Sequence, residues 1–355
     1  CDSIDRADTP ITVTDIAGKG HCDIHELYIG LTNTTKPFSL GASEYENFDA
    51  YLEMNKMVYG GDEELAAKRP IFFSCCCQTS PLESPTRDSQ LIIKCAENNI
   101  TNEVISMVMA GSTGPVTLEG TIVTHNAEVL AGLVLAQIVN KGAPAFYSSA
   151  TTMMDLKNGV AATGSPEMGL LGLSFGKLAR YYGMPSGIIA GCWTDSKLPD
   201  VQAGFEKAMT AMLPAFGGAT TVFGAGGIES GNTMSLEQLV IDNDIIAMTQ
   251  RLLNGFNVTS ESLAFGDIEK VGPGKHFLAV KSTRMGMDSQ SFPSIFDRRM
   301  RGDWENAGAK DALAVANEKV QEILATHNPC GLDADIVADL KALVAEKDKT
   351  YVQKA

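Results

Sequence analysis

An aromatic and charged cluster follows an apolar run in the second half of the chain. The stretch Gly187–Gln202 reads GIIAGCWTDSKLPDVQ, so that Trp193, Asp195 and Lys197 share one short turn between a predicted strand and a predicted helix. A carboxylate at such a turn can orient or charge-balance a site, and a lysine can anchor an anion. We predict that these three side chains are catalytic. In the alternative interpretation, which stays open here, Asp195 or Ser196 caps the helix and Lys197 lies on the surface.

Polar residues at the ends of other predicted strands complete the same candidate site. Gln78, Tyr147, Glu229 and Ser230 are predicted to bind the substrate, because the carboxyl ends of parallel strands meet at one edge of a sheet. A glycine-containing turn follows a further strand, and its backbone amides could cradle an anion or the polar edge of a cofactor. A tight turn into a capped helix is the equal alternative. The turn consists of Gly111, Ser112, Thr113 and Gly114.

Aromatic residues are spread over several of these strands. Neighbouring side chains on a strand point to opposite faces, so that half of the rings must face the outer helices. The remainder could line an aromatic mouth, which suits a cationic ammonium group or a flat cofactor face. The residues are Phe72, Phe73, Phe146, Tyr147, Trp193 and Phe223.

Composition and spacing argue against several other functions. The net charge of −15 argues against nucleic-acid binding. Gly172–Gly176 has the GxSxG spacing of a hydrolase nucleophile, but it lies inside a helical run without the sharp turn that would expose Ser174. No CxxC pair or His/Cys cluster stands at metal-ligand spacing, so that no bound metal is predicted. The consecutive Cys75, Cys76 and Cys77 indicate free thiols in a reducing cytoplasm, and no apolar run is predicted to span a membrane.

Short β-type runs alternate with helix-length amphipathic segments through most of the chain. This alternation requires a parallel sheet, because each return to a parallel strand needs a long crossover. The predicted strands are Pro37–Leu40, Pro70–Cys76, Val104–Met109, Pro144–Tyr147, Gly187–Ala190 and Thr220–Phe223. The predicted helices are roughly Asp23–Asn33, Tyr45–Val58, Asp88–Asn98, Val116–Val139, Glu167–Tyr182, Asp200–Leu213, Leu236–Leu253, Ala307–Ala325 and Ala334–Ala345.

A doubly wound sheet and a (β/α)8 TIM barrel both satisfy this α/β pattern. The barrel is favoured if further units precede Cys1, and because the sequence opens without methionine we expect N-terminal units to be missing. We therefore predict a barrel over residues 1–257 that lacks its first units. The strand–helix rhythm then stops, and residues 258–355 predict a C-terminal helical extension packed on the barrel or on a second subunit. A homo-oligomer is the expected assembly.

Four strings of residues carry a resemblance to a known family. The chain resembles the trimethylamine methyltransferase family, whose members move a methyl group from methylated amines to a corrinoid protein. The resemblance implies a barrel with an open mouth, where a cognate corrinoid (cobalamin) protein docks with its cobalt pointing in, and no metal bound by this chain. The strings are GSTGPVTLEGTIVTHNAEVLAGLVLAQIVNKGAP (Gly111–Pro144), ATGSPEMGLLGLSFGKLARYYGMPSG (Ala162–Gly187), TDSKLPDVQAGFEK (Thr194–Lys207) and SLEQLVIDNDI (Ser235–Ile245).

The resemblance makes position 193 decisive for the substrate. It implies that pyrrolysine, encoded by an amber codon, holds the amine in the trimethylamine branch, and we assign that position to 193. Because an amber codon differs from the tryptophan codon by one base, Trp193 either stands in for pyrrolysine or is a genuine indole that serves a quaternary amine. We expect a trimethylamine:corrinoid-protein methyltransferase that feeds methanogenesis or other one-carbon metabolism. A glycine betaine-type methyltransferase and a non-catalytic barrel that binds an amine or a corrinoid protein are the alternatives.

Overall fold

The computed structural model describes residues 1–8 and 15–351, which form a mixed α/β fold. Its strands are β1 (Ala7–Asp8), β2 (Phe38–Leu40), β3 (Phe72–Gln78), β4 (Asn102–Ser106), β5 (Met109–Ala110), β6 (Ala145–Ser149), β7 (Thr152–Asp155), β8 (Val160–Ala162), β9 (Ser186–Ala190), β10 (Val222–Phe223), β11 (Gly227–Ile228) and β12 (Thr233–Met234). Its helices are α1 (Cys22–Asn33), α2 (Phe48–Val58), α3 (Glu63–Lys68), α4 (Thr86–Glu97), α5 (Leu118–Val139), α6 (Pro166–Tyr181), α7 (Val201–Gly217), α8 (Leu236–Leu253), α9 (Phe265–Val271), α10 (Lys281–Met285), α11 (Arg301–Asn306), α12 (Ala312–Thr326) and α13 (Ala334–Asp348).

One parallel sheet organises the described part of the chain. Seven strands are hydrogen-bonded in the order β1-β2-β3-β4-β6-β9-β10, which follows the chain without reversal. Since crossovers between parallel strands are right-handed, an order that never reverses places the connecting helices on one face of the sheet. A doubly wound sheet, by contrast, reverses its order at a switch point. The observed order is therefore that of part of a barrel.

Alternation along β3 shows how the two faces of the sheet differ. Phe72 is fully buried on the helix side, where its ring centroid lies 5.5 Å from that of Tyr51 in α2. The next residue, Phe73, points to the opposite face, where its ring lies 5.5 Å from Phe146 and 5.2 Å from the Arg6 guanidinium carbon. The predicted division of the aromatic rings between two faces is thus present.

Two small sheets lie between the main strands and the helices that follow them. β5 pairs with β7 in parallel and β7 pairs with β8 antiparallel, so that this sheet leads the chain from β6 to α6. β11 and β12 form an antiparallel pair between β10 and α8. The sequence did not predict either sheet, because strands of two to four residues carry too little alternation to be recognised.

Side-chain caps begin several of the helices around the site. The Ser165 hydroxyl accepts a hydrogen bond from Met168 N at 3.2 Å, with Pro166 at the first helical position of α6. The Ser235 hydroxyl likewise accepts from Gln238 N at 3.1 Å at the start of α8. Asp200 caps α7 by accepting from Ala203 N at 3.0 Å, so that the alternative prediction of a cap at Asp195 or Ser196 is wrong. These caps fix where each loop ends and its helix starts.

The residues after 257 pack on the α/β part at two separate places. Ala316 and Val320 of α12 form a small apolar cluster with α8. Leu340, Leu343 and Val344 of α13 join the main core beside α1 and α2. Both late helices were predicted, whereas the short helices α9, α10 and α11 were not.

α5 corrects one prediction from composition. By length and apolar composition this helix of 22 residues could cross a membrane, although no such run had been predicted. It is the one helix of that kind within residues 1–8 and 15–351. Its buried side includes Val129, Leu133 and Ala136 of the main core together with the polar His125 and Glu128. The packing of α5 against α4, β4 and β6 explains its buried apolar residues, whereas Val123, Val134 and Ile138 are exposed.

Candidate active site

Trp193 lies in a loop that leaves the end of β9. Its backbone N–H donates to Thr210 Oγ1 of α7 at 3.2 Å, and its ring centroid lies 5.7 Å from that of Phe223 at the end of β10. Two glycines close on the ends of the indole. A Cβ at Gly224 would lie 2.4 Å from Cδ1 of the ring, and one at Gly231 would lie 2.1 Å from Cζ3. Both glycines have positive φ, so that no other residue fits there without strain.

The indole N–H of Trp193 has no hydrogen-bond acceptor within residues 1–8 and 15–351, although the nitrogen atom is buried. A buried donor without a partner costs about 1–3 kcal/mol. The side chain as a whole is only partly buried, so that the rest of the indole surface reaches the edge of the site. Position 193 is therefore a place where local structure tolerates an unfavourable contact, as functional sites often do.

Asp195 connects the ends of three strand segments. Its Oδ1 accepts hydrogen bonds from Thr163 N (3.0 Å), Thr163 Oγ1 (2.7 Å) and Ser230 Oγ (2.7 Å), and its Oδ2 accepts from Gly164 N (3.1 Å). Burial raises the pKa of this carboxyl group, but the bonds from Thr163, Ser230 and Gly164 outweigh burial and leave the pKa below its ordinary value. Asp195 is therefore ionised at neutral pH and holds the β8 and β11 connections against its own loop.

The residues that follow β11 adopt an unusual backbone conformation. Glu229, Ser230 and Gly231 have φ values of 54°, 55° and 84°. The left-handed region costs non-glycine residues about 1–2 kcal/mol each. Hydrogen bonds offset the strain, since Glu229 N donates to Ser196 O at 2.7 Å and Ser230 N donates to Thr194 O at 2.9 Å.

Both of these bonds join backbone to backbone, so that the 229–231 turn is fixed to the Trp193 loop whatever side chains it carries. The Glu229 carboxylate accepts from Thr233 Oγ1 at 2.8 Å and so is turned toward β12. The structure therefore brings Trp193, Asp195, Glu229 and Ser230 together, as the sequence predicted.

Lys197 belongs to the same loop but is exposed. Its Nζ donates to the backbone carbonyl of Asp195 at 2.7 Å, and its ammonium group remains accessible to an anion at the edge of the site. The loop is held from behind by Glu206 of α7, whose Oε2 accepts from Thr194 Oγ1 (2.6 Å) and Asp195 N (2.9 Å). Asp195 and Lys197 thus have different environments, because the Asp195 carboxylate is hydrogen-bonded to neighbouring loops whereas the Lys197 ammonium group lies at the surface.

Two of the predicted substrate-binding residues lie elsewhere. Tyr147 is fully buried between the sheet and the helices, where its hydroxyl donates to Asn126 Oδ1 of α5 at 3.1 Å, and burial raises its pKa. Gln78 is also buried, and its Oε1 accepts from Ser84 Oγ at 2.5 Å. The side chains of Gln78 and Tyr147 point to the face of the sheet that the helices cover. The sequence shows that alternate residues of a strand face opposite sides, but not which set faces the helices.

The backbone amides of the Gly111–Gly114 turn donate hydrogen bonds to nearby backbone carbonyl groups. Gly111 N donates to Gly114 O at 3.1 Å, while Ser112 N and Gly114 N donate to Met109 O at 3.0 and 3.1 Å. The Thr113 hydroxyl accepts from Met109 N at 2.9 Å. This arrangement favours the tight-turn interpretation, since three of the amides that were expected to cradle a ligand already have acceptors.

Sequence reasoning missed an ion pair beside the Trp193 loop. Lys207 of α7 and Asp242 of α8 are both fully buried, and Nζ lies 2.8 Å from Oδ2. A signal was present, because Lys207 stands four residues after Ala203 and four before Ala211, on the buried face of its helix. A charged residue on an otherwise buried helical face indicates a buried partner.

The surroundings of His125 in α5 indicate a structural role. The ring is fully buried and stacks on Phe175 at 3.8 Å, with Nδ1 2.9 Å from Thr151 Oγ1. Burial lowers its pKa to about 3, so that it is neutral. Across residues 1–8 and 15–351 there is no group of three or more His, Cys, Asp or Glu side chains that could hold a metal ion.

Comparisons with known proteins agree on one family. A family model described as Trimethylamine methyltransferase (MTTB) matches residues 6–351. The chain is 49% identical over 350 residues to trimethylamine methyltransferase MttB of Methanosarcina barkeri, covering 99% of this chain and 70% of that protein. It is 39% identical over 354 residues to trimethylamine methyltransferase MttB of Desulfitobacterium hafniense, covering 99% and 71%. It is 36% identical over 328 residues to glycine betaine methyltransferase of Desulfitobacterium hafniense, covering 91% and 67%.

Proposed function

The chain belongs to the trimethylamine methyltransferase family, and we propose that it moves one methyl group of trimethylamine to the cobalt of a corrinoid carried by a partner protein. The similarity to proteins named for trimethylamine over nearly the whole chain is the observation that carries this proposal. In the reaction the donor is protonated trimethylamine: one carbon–nitrogen bond of the trimethylammonium ion breaks as the methyl group passes to the cobalt, the electron pair of that bond stays on nitrogen, and dimethylamine is released with the proton that the nitrogen already carries. The corrinoid would supply the nucleophile that accepts the methyl group.

The residues of this chain would bind and align the amine. The indole face of Trp193 attracts a cationic ammonium group, worth about 0.5–2 kcal/mol depending on how far water is excluded. Asp195 is ionised and adds a negative field at the same loop, although its oxygens are already occupied by hydrogen bonds. We therefore assign Trp193 to direct contact with the methyl donor and Asp195 to holding the loop, with Lys197, Glu229 and Ser230 at the edge of the site.

Glycine betaine is the second candidate donor. A quaternary ammonium group needs no activation before its methyl group is displaced, and an aromatic face suits its fixed charge. The similarity to glycine betaine methyltransferase over 91% of the chain supports this alternative. The exposed Lys197 ammonium could bind the carboxylate of such a donor, which trimethylamine lacks.

We also propose the finer architecture and cellular setting. The main sheet would be the greater part of a (β/α)8 barrel within residues 1–257, with residues 258–355 as the C-terminal extension and a homo-oligomer as the assembly. All eight cysteines are free thiols, which suits a reducing cytoplasm. Position 193 would be the pyrrolysine position of the trimethylamine branch or a native indole.

Methyl transfer with two donors in parallel tests the proposal. The protein is mixed with a reduced corrinoid protein and either trimethylamine or glycine betaine, and the visible spectrum of the corrinoid reports methylation. Faster transfer from trimethylamine supports the first proposal, and faster transfer from glycine betaine supports the second. Partner binding without transfer from either donor would overturn both and leave a binding protein. Reading codon 193 in the native gene is an independent test, because an amber triplet selects trimethylamine.

Replacing the indole tests the assigned contact. Trp193→Ala should raise KM for the preferred donor roughly 2- to 30-fold, which corresponds to the loss of about 0.5–2 kcal/mol of cation–π attraction. Trp304→Phe is the matched control, because Trp304 lies in α11 and its indole N–H donates to Lys310 O at 2.8 Å in the exposed tail. An unchanged KM in Trp193→Ala would remove Trp193 from direct contact with the donor.

A further inference from the structure

A fully buried ion pair lies next to the loop that carries Trp193. The Lys207 ammonium and the Asp242 carboxylate come from neighbouring helices, α7 and α8, and neither side chain is exposed to solvent. Burying two charges costs more than their attraction returns unless every remaining donor and acceptor is also satisfied. An apolar pair of similar volume would often stabilise the fold as well or better. The role of the pair should therefore be apparent from the other hydrogen bonds that the two charged groups make.

Lys207 connects the ends of two neighbouring strands. Besides Asp242, its Nζ donates to Cys192 O at 2.7 Å and to Gly224 O at 3.0 Å, so that all three ammonium donors are used. Cys192 immediately precedes Trp193, and Gly224 is one of the two glycines that contact the indole. The ammonium group thus joins the backbone that leads into Trp193 to the backbone against which the ring rests.

Asp242 fixes the second half of this arrangement. Its Oδ2 also accepts a hydrogen bond from Gly226 N at 2.7 Å, and its Oδ1 accepts from Gln238 Nε2 at 2.7 Å. The carboxylate therefore holds the 224–226 turn after β10, while Gln238 holds the carboxylate on α8. No single neutral side chain could accept from Gly226 N, Gln238 and Lys207 at the same time.

We infer that Lys207 and Asp242 are positioning residues for position 193. Their ion pair sets the separation of the β9 and β10 ends, and that separation seats the side chain of residue 193 between Gly224 and Gly231. The catalytic part of this inference rests on the proposed methyl transfer, but the seating of the ring does not. Misplacing a reacting group by about 1 Å can slow a reaction roughly 10²-fold.

The fluorescence of Trp193 measures its seating without any substrate. The chain has two tryptophans, so that Trp304→Phe leaves Trp193 as the sole indole. In this background, Lys207→Met combined with Asp242→Leu removes both charges and keeps the unbranched shape of the first side chain and the forked shape of the second. We expect the folded double variant to show a red-shifted emission and stronger quenching by acrylamide. We also expect kcat to fall about 10²-fold while KM changes less.

Removal of a second buried pair provides the matched control. Arg6 and Glu103 form an ion pair whose side chains are 10% and 0% exposed, and Glu103 lies near the start of β4 rather than at a strand end that carries the site. Arg6→Met combined with Glu103→Leu should change stability but neither Trp193 fluorescence nor kcat. If both double variants shift the fluorescence equally, the effect is general loosening and the inference is wrong.

The remaining outcomes are also decisive. Unchanged emission and quenching in the folded Lys207→Met/Asp242→Leu protein would overturn the seating, whatever the enzyme does. If that protein fails to fold, Gln238→Met removes only the bond to Asp242 Oδ1 and must shift the fluorescence in the same direction, by a smaller amount. No shift there overturns the inference. An inactive parent protein would contradict the proposed function and leave the fluorescence result to decide the positioning.

Discussion

Trp193 packs so closely against Gly224 and Gly231 that neither glycine position has room for a side chain. Gly231 has a positive φ of 84°, and a Cβ there would lie 2.1 Å from the indole Cζ3 atom. A substitution at Gly231 therefore faces two separate obstacles, the backbone conformation and the ring. Only the second of these depends on the residue at 193, which makes the two separable by mutation.

A double-mutant cycle separates these two obstacles. Gly231→Ala should lower the free energy of unfolding by more in the parent protein than in a Trp193→Ala background, where only the backbone penalty of about 1–2 kcal/mol remains. Chemical denaturation of the four proteins gives the coupling energy. Gly183→Ala is the control, because Gly183 also has a positive φ, of 68°, but no atom lies within 4 Å of its ideal Cβ. Equal costs of Gly231→Ala in both backgrounds would show that the indole is not seated against this glycine.

At the scale of elements, local signals predicted the strands better than the contacts between them. Each of the six predicted strands overlaps an observed strand, because apolar runs ended by Gly, Ser, Thr or Pro mark buried parallel strands. The link between Asp195 and Thr163 joins residues 32 positions apart through the β7–β8 pair, which has no periodic signal of its own. The position of Asp195 in the site could therefore be predicted from the sequence, whereas its hydrogen-bond partners could be identified only from the folded structure.

Helix α5 contains a buried histidine that makes the free energy of unfolding of the protein depend on pH. The pKa of His125 is lowered to about 3 by burial, against about 6.5 in an unfolded chain. Between these values the unfolded state binds the proton more tightly, so that the contribution of the neutral ring is complete above pH 6.5 and is lost as the pH falls toward 3. His125→Gln should reduce the slope of unfolding free energy against pH by about 1.4 kcal/mol per pH unit within this window.

Denaturant titrations between about pH 7 and about pH 4.5 provide the measurement for this prediction, because they fall largely within the window in which only the unfolded state takes up the proton. His276→Gln is the matched control, since it makes the same substitution at an exposed position in the turn after α9. The expected difference lies in the slope and not in the absolute stability, because glutamine also alters packing against Phe175. A parallel pair of curves for His125→Gln and the parent protein would show that the ring is protonated in the folded state.

At the scale of the whole molecule, the C-terminal helices differ in how much of the fold depends on them. α12 packs on α8 through a small cluster, whereas α13 contributes Leu340, Leu343 and Val344 to the main core beside α1 and α2. The last described helix therefore covers the first one, across almost the full length of the chain. No local pattern in the sequence could predict a contact between elements so far apart in the chain.

Two leucines in these helices test that dependence. Leu340 in α13 is 0% exposed and Leu324 in α12 is 65% exposed, so that the same substitution removes a core contact at one position and surface at the other. Leu340→Ala should lower the free energy of unfolding by about 2–5 kcal/mol, through lost burial and the cavity that remains. Leu324→Ala should change it by less than about 0.5 kcal/mol. Because Leu340 shares a core with the sheet, the loss should appear in a single cooperative transition. A separate early transition for Leu340→Ala would instead show that α13 unfolds independently of the sheet.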